Sequence, residues 1–158
     1  MQKELTLILV RDGSRILLGK KKRGFGEGRY NGFGGKLIPG ENPLESVQRE
    51  LFEEAQIKVQ DIVKIGEITF YLNKNENEGE VHFVHVYIGK DIVGEPKETE
   101  EMAPEWFFID EIPYKDMWPD DVYWYPYALK NRAFSGYCRF GGDNTTIIEQ
   151  EFKQVEPF

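Results

Sequence analysis

Glu50, Glu53 and Glu54 stand at i, i+3 and i+4 in "RELFEE", directly after Arg49. On a helix advancing ~100° per residue, this spacing gathers the three carboxylates into one arc of about 100°. Like charges placed this way disfavour a free helix by about 0.2–0.5 kcal/mol per pair, so a cation is their natural relief. Magnesium or manganese suits them, since hard divalent cations take carboxylate oxygens and bridge them to phosphates. The plainer alternative is a solvated acidic face on which Arg49 and Glu53 form an i, i+4 ion pair.

The helix that carries the acids has clear boundaries. Asn42 supplies an N-cap oxygen, Pro43 suits the first helical position, and Glu45 sits where a capping-box acid belongs. A helix from Pro43 to Ala55 is expected, with Leu44, Val47, Leu51 and Ala55 as an apolar stripe beside the acidic arc. Before it, Gly24, Gly26, Gly28, Gly32, Gly34 and Gly35 crowd into a dozen residues. Such density fits a loop whose backbone approaches a ligand closely, or simply a flexible surface loop. The run Lys20, Lys21, Lys22 and Arg23 taken alone is a solvated strand end.

The remaining elements are mostly strands. Leu5 to Val10 and Arg15 to Gly19 form a hairpin about an Asp12-Gly13 turn. Ile65 to Leu72 and Val81 to Ile88 flank the polar loop "NKNENEGE", and Glu105 to Ile109 is a short aromatic strand. A second helix is expected from Trp118 to Lys130, entered through Pro119. A last hairpin, Phe134 to Phe140 and Thr145 to Val155, turns at Gly141-Gly142-Asp143. This pattern predicts an α+β fold, a mixed β-sheet flanked by helices. His82 and His85, three apart on a strand, face opposite ways and do not make a joint metal site.

The 158 residues suffice for one domain with its own core. A net charge of −8 argues against a nucleic-acid polymer as partner, while a small anion accompanied by metal remains compatible. The single Cys138 cannot close an internal disulfide, and the apolar start of the chain is too short to span a bilayer. A cytoplasmic monomer with no membrane partner is the expectation.

The longer pattern around the acids resembles the Nudix box, G-x5-E-x7-R-E-U-x-E-E-x-G-U, in which U is a bulky aliphatic residue. Gly35, Glu41, Arg49, Glu50, Leu51, Glu53, Glu54 and Ile57 match, and Gln56 stands where the family has glycine. A residue with a Cβ in the left-handed conformation usual just past a helix loses about 1 kcal/mol, a cost that falls on the helix exit and not on the acids. The resemblance implies the Nudix fold, an αβα sandwich, and Mg²⁺-dependent hydrolysis of a nucleoside diphosphate linked to another group, with Mn²⁺ as a second candidate metal. It implies Glu50, Glu53, Glu54 and the Gly34 carbonyl as metal ligands and Arg49 as the residue that orients the acids. Either Glu50 or Glu54 would be the general base.

Segments well beyond the box, "LLGKKKRGFGEGRYNGFGGK", "EEMAPEWF" and "IPYKDMWPDDVYW", resemble an animal MutT-like subgroup of that family. Its members hydrolyse oxidised purine nucleoside triphosphates to the monophosphate and pyrophosphate. By this resemblance Thr6, Lys21, Asn31, Phe33, Gly34, Gly35, Lys36, Leu37, Phe70, Trp118, Pro119, Asp120 and Asp121 bind substrate, and Glu101 adds a metal-side acid. The residue chemistry is compatible: Trp118 can stack on a purine, and Asn31 offers a base edge both a donor and an acceptor. Asp120 and Asp121, adjacent carboxylates among aromatics, would share a proton in a desolvated pocket and so both donate and accept. The plain alternative for "WPDD" is a helix start with a buried Trp. Other substrates stay open: O6-alkylated or unmodified purine triphosphates, dinucleoside polyphosphates and ADP-ribose. So does a silent nucleotide-binding module, although the intact "REx2EE" counts against it.

Overall fold

The run Leu5–Val10 lacks the polar alternation of a half-exposed strand, which suits a strand covered on both faces. In the computed structural model, which describes residues 2–158, that run lies inside a nine-stranded mixed sheet. Strand β1 (Gln2–Asp12) is followed by β2 (Arg15–Lys21), β3 (Tyr30–Asn31), β4 (Phe33–Lys36), helix α1 (Pro43–Ala55), β5 (Lys58–Asn75) and β6 (Glu78–Val93). Then come β7 (Met102–Phe108), helix α2 (Asp121–Leu129), β8 (Phe134–Phe140) and β9 (Ile147–Gln154). The fold is α+β, and no described helix is long and apolar enough to cross a membrane.

β1 runs parallel to β6 from Gln2 to Val10. Its other edge is shared between β4, opposite Leu5–Ile8, and β2, opposite Val10–Asp12. The sheet divides where that edge changes partner. Gly32 sits at the division, and a Cβ there would press on the Ile8 carbonyl. Side-chain alternation along β1 then feeds two cores. Ile8 and Val10 join Phe33, Val47, Leu51 and Ala55 beneath α1, whereas Leu9 joins Val84, Val86, Trp124, Tyr125 and Phe134 beneath α2. Each helix thus covers its own face of the sheet.

Several expectations need correction. Asp12 pairs with Arg15, so the first turn is Gly13-Ser14 and not Asp12-Gly13. Most of "NKNENEGE" lies in the β5–β6 ladder, which continues to Asn75↔Glu78, because a projecting hairpin pairs backbone whatever its polar side chains. The glycine-rich stretch, read as loop, contributes β3 and β4. β7 begins at Met102, earlier than the aromatic run suggested. α2 begins at Asp121 instead of Trp118: Trp118 to Asp120 form a tight turn closed by the Asp121 N–H donating to the Trp118 carbonyl at 3.1 Å. α1 keeps its expected bounds and its capping box. In its apolar stripe, however, Leu44 is exposed, while Ser46 and Glu54 are buried.

Candidate active site

Helix α1 presses its acidic arc against β4. Glu54, only 9% exposed, accepts a hydrogen bond from the Gly34 N–H at Oε1, 2.8 Å away. Burial pushes its carboxyl from 4.5 up to about 8, and the charge of Glu50 adds to that rise. Glu50 is half-buried, and burial also raises its carboxyl. The two glycines of β4 make the approach possible: a Cβ on Gly35 would lie 2.8 Å from the Glu50 carboxylate, and one on Gly34 would run into the Thr6 carbonyl. Glu53 is exposed on the same arc.

Arg49 ties these acids together. Its Nη1 donates to Glu50 Oε1 at 2.9 Å and to Glu53 Oε2 at 3.2 Å, so the i, i+4 ion pair exists alongside the wider network. Nε and Nη2 grip the two oxygens of Glu41 at 3.0 and 2.7 Å, a two-point bond that fixes the guanidinium plane. Arg49 in turn holds the Glu41 carboxyl down to about 2. Glu41 was not singled out as a site residue from the sequence, although its defined place in the box was the available signal. Among the described residues, no three acidic, His or Cys side chains converge closely enough to enclose an ion. The donor set is nonetheless all oxygen, anionic and partly desolvated, which fits a hard divalent cation.

Glu101 and Lys21 reach this site from the other side of the sheet division. The Lys21 charge lowers Glu54 and the Glu101 charge raises it. Glu101 accepts from Arg23 Nη2 at 2.5 Å, and that arginine holds its carboxyl below the usual range. The same segment is anchored to α1, since Thr99 Oγ1 donates to the Glu54 carbonyl at 3.1 Å.

On the α2 face lies the second set of predicted residues. Trp118, Phe140 and Phe70 form an aromatic chain, with ring centroids 6.5 Å apart between the first two and 6.2 Å between the last two. Asp120 and Asp121 are both 2% exposed. Asp120 Oδ2 accepts from Trp124 Nε1 at 2.8 Å, whereas Asp121 Oδ2 has no partner. Burial lifts Asp120 to about 6; burial and then the neighbouring charge lift Asp121 well above the carboxylate range. Burial and the nearness of the two carboxyls thus both favour protonation within the pair. Pro119, half-buried, precedes it in the turn.

Other predicted residues fall elsewhere. Phe33 is fully buried in the α1-side core, and Thr6 Oγ1 points to Ser46 of α1 at 3.5 Å, so neither side chain joins the Trp118 group. Asn31 Oδ1 accepts from the Gly32 N–H at 2.8 Å, beside the sheet division. Exposed Lys36 lies against Lys3, whose charge lowers its ammonium, and the Leu37 N–H donates to the Glu4 carbonyl at 3.2 Å. Two further residues, unassigned from the sequence, touch Trp118: the Arg29 guanidinium stands 4.1 Å over its ring, and the Phe25 ring centroid is 4.9 Å away.

Fold and acid site together define a class: the chain belongs to the NUDIX domain family, matched over residues 2–128. Within it, the chain is 43% identical over 153 residues to a mouse (Mus musculus) protein named oxidized purine nucleoside triphosphate hydrolase, covering 97% of this chain and 96% of that one. A zebrafish (Danio rerio) protein of the same name is 45% identical over 154 residues, with 98% and 96% covered. Among solved structures, a MutT protein from Bacillus halodurans superposes with a TM-score of 0.84 at 25% identity, covering 96% of this chain and 97% of that one.

Proposed function

We propose that this chain is a NUDIX hydrolase that converts oxidised purine nucleoside triphosphates to the monophosphate and pyrophosphate, removing mutagenic precursors from the nucleotide pool. The observation that carries the reaction class is the crowding of Glu50 and Glu54 against Gly34 and Gly35. Two carboxyls brought this close to the β4 backbone, one of them on the Gly34 N–H, offer adjacent oxygen ligands to a hard divalent cation. The substrate class rests on the near full-length identity to two proteins of that name.

Glu50, Glu53, Glu54 and the Gly34 carbonyl would hold Mg²⁺ or Mn²⁺, with Glu101 as a further acid nearby. When bound, such a cation offsets phosphate charge and makes a coordinated water more acidic. Arg49, fixed by Glu41, orients Glu50 and Glu53. Glu50 or Glu54 takes the proton of the attacking water as its oxygen bonds to phosphorus and the bond to pyrophosphate breaks. Trp118 stacks on the purine, and the Asp120–Asp121 pair, sharing a proton, presents both a donor and an acceptor to the base edge. One catalytic domain acting as a cytoplasmic monomer completes the reading.

Pyrophosphate release with Mg²⁺, measured across normal, oxidised and O6-alkylated purine triphosphates alongside Glu54→Gln, tests it. Preferred turnover of 8-oxo-dGTP, 8-oxo-dATP or 2-hydroxy-dATP is expected. Preference for ADP-ribose or dinucleoside polyphosphates would keep the chemistry and reject the substrate class; no turnover at all would reject both.

A further inference from the structure

Arg29 lies outside the Nudix box and outside the roles assigned above. Its loop is a compact, backbone-bonded turn: the Gly28 N–H donates to the Lys21 carbonyl at 2.8 Å, Lys21 to Arg29 at 2.9 Å, and Arg29 to Gly26 at 3.0 Å. Gly26 has φ 87°, which favours glycine, and a Cβ there would come within 3.1 Å of the Trp118 ring. The loop therefore lies close against the indole. The guanidinium stands 4.1 Å over that ring and so takes one of its two faces, while the Phe25 ring, tilted by 35° with its centroid 4.9 Å away, also packs against the indole. Arg29 Nη1 is buried without a hydrogen-bond partner, an arrangement that the ring contact must help to hold. Arg29 also sets its charge against both buried aspartates, and it lowers each of them.

We propose that Arg29 is the positioning residue of the base pocket: it backs Trp118 so that a purine stacks on the opposite face, in fixed relation to Asp120 and Asp121. The proposal rests on the purine reading given above. A guanidinium suits this role because its flat, weakly hydrated face lies on an aromatic ring, which the compact ammonium of lysine does not reproduce. Since Arg29 acts through Trp118 and not on the phosphates, its loss falls on substrate binding.

The test is steady-state pyrophosphate release from oxidised guanine and adenine triphosphates by Arg29→Ala, Arg29→Lys, Trp118→Ala and the Arg29/Trp118 double variant. Tryptophan emission of the nucleotide-free proteins is measured in parallel. Arg29→Ala is expected to raise KM about tenfold while kcat stays within about twofold, Arg29→Lys to recover only part of that loss, and Arg29→Ala to add less than about twofold once Trp118 is gone. Emission should change on Arg29→Ala in the Trp118 protein and not in a Trp118→Phe background. Independent, multiplicative effects of the two substitutions, a fall in kcat with KM unchanged, or full rescue by lysine would overturn the proposal. If Arg29→Ala does not fold, Arg29→Lys and Arg29→Gln carry the same comparison. Should the unmutated protein turn over no oxidised purine triphosphate, the functional reading fails while the emission arm still decides whether Arg29 backs Trp118.

Discussion

Two pairs of carboxylates, Glu50 with Glu54 and Asp120 with Asp121, are crowded in this molecule, and the chain treats them differently. On α1 an arginine is built in: Arg49 bonds Glu41, Glu50 and Glu53, and the arc opens to solvent at Glu53. Before α2 both aspartates are sealed, Asp121 Oδ2 has no partner, and the neighbouring Arg29 lies on Trp118 instead of bonding a carboxylate. The first arrangement suits a partner cation, because Arg49 already offsets part of its charge and the arc stays open at Glu53. The second suits a fixed proton, because desolvation leaves protonation as the cheapest neutralisation. Residue type alone does not decide which role a carboxylate takes; burial and the nearest cation do.

Substitutions can break that contrast. Glu54→Gln should lower kcat by about 10²–10⁴-fold with every substrate, measured by pyrophosphate release. An equal loss for Asp120→Asn with every substrate would erase the division of labour. Glu41→Gln frees Arg49 from its two-point grip and should cost about 10–100-fold in activity while the fold persists, checked by circular dichroism alongside kinetics. Asp120→Asn keeps an acceptor for Trp124 but removes the shared charge, so the ratio of kcat/KM for oxidised guanine over oxidised adenine triphosphates should shift about tenfold. An unchanged ratio would remove the aspartates from base recognition.

The contrast can also be sharpened by pH. Burial raises the folded Glu54 value from 4.5 to about 8, so its neutral form favours the fold. That contribution is complete below about 4.5 and is lost as pH rises through about 8. In chelator, the melting temperature should therefore fall by about 10 °C across that window, and Glu54→Gln should flatten the fall. Adding Mg²⁺ near pH 7 should release protons, detected by calorimetry in buffers of different ionisation enthalpy. The smallest effect is expected at the helix exit. Gln56 takes φ 62° and its Nε2 donates to the Phe52 carbonyl at 3.0 Å, so Gln56→Gly relieves strain but loses a bond. Stability should change by less than about 0.5 kcal/mol, with activity intact.

Helix α1 was legible to the residue because its signals are local: a cap, a proline, a box of fixed spacing and a 3.6-residue period. Strand limits were less legible, since Lys58–Val63 becomes strand only by pairing with the distant Ile88–Val93, and Asn73–Asn75 extends a hairpin whose polar side chains hide it. The acid arc was foreseen, but not that Glu54 would be buried in place of Leu44, because periodicity does not say how far a helix leans towards its sheet. The proposed base pocket was half legible. "WPDD" drew attention to itself, whereas Arg29 sits in a basic, glycine-rich stretch that reads equally well as a solvated loop.

By itself the sequence determined the acidic arc proposed to react: residue type and helical spacing suffice to bring Glu50, Glu53 and Glu54 together, and Glu41 and Arg49 follow from the same box. Tertiary structure decided what surrounds those acids and which predicted pocket residues meet. Alternation along β1 and β4 sends Thr6 and Phe33 beneath α1, while β8 and the turn before α2 bring Phe140 to Trp118. The physical reason is range: helical spacing acts over a few residues, but burial, and with it the protonation of a carboxyl, depends on chain segments far apart in the sequence.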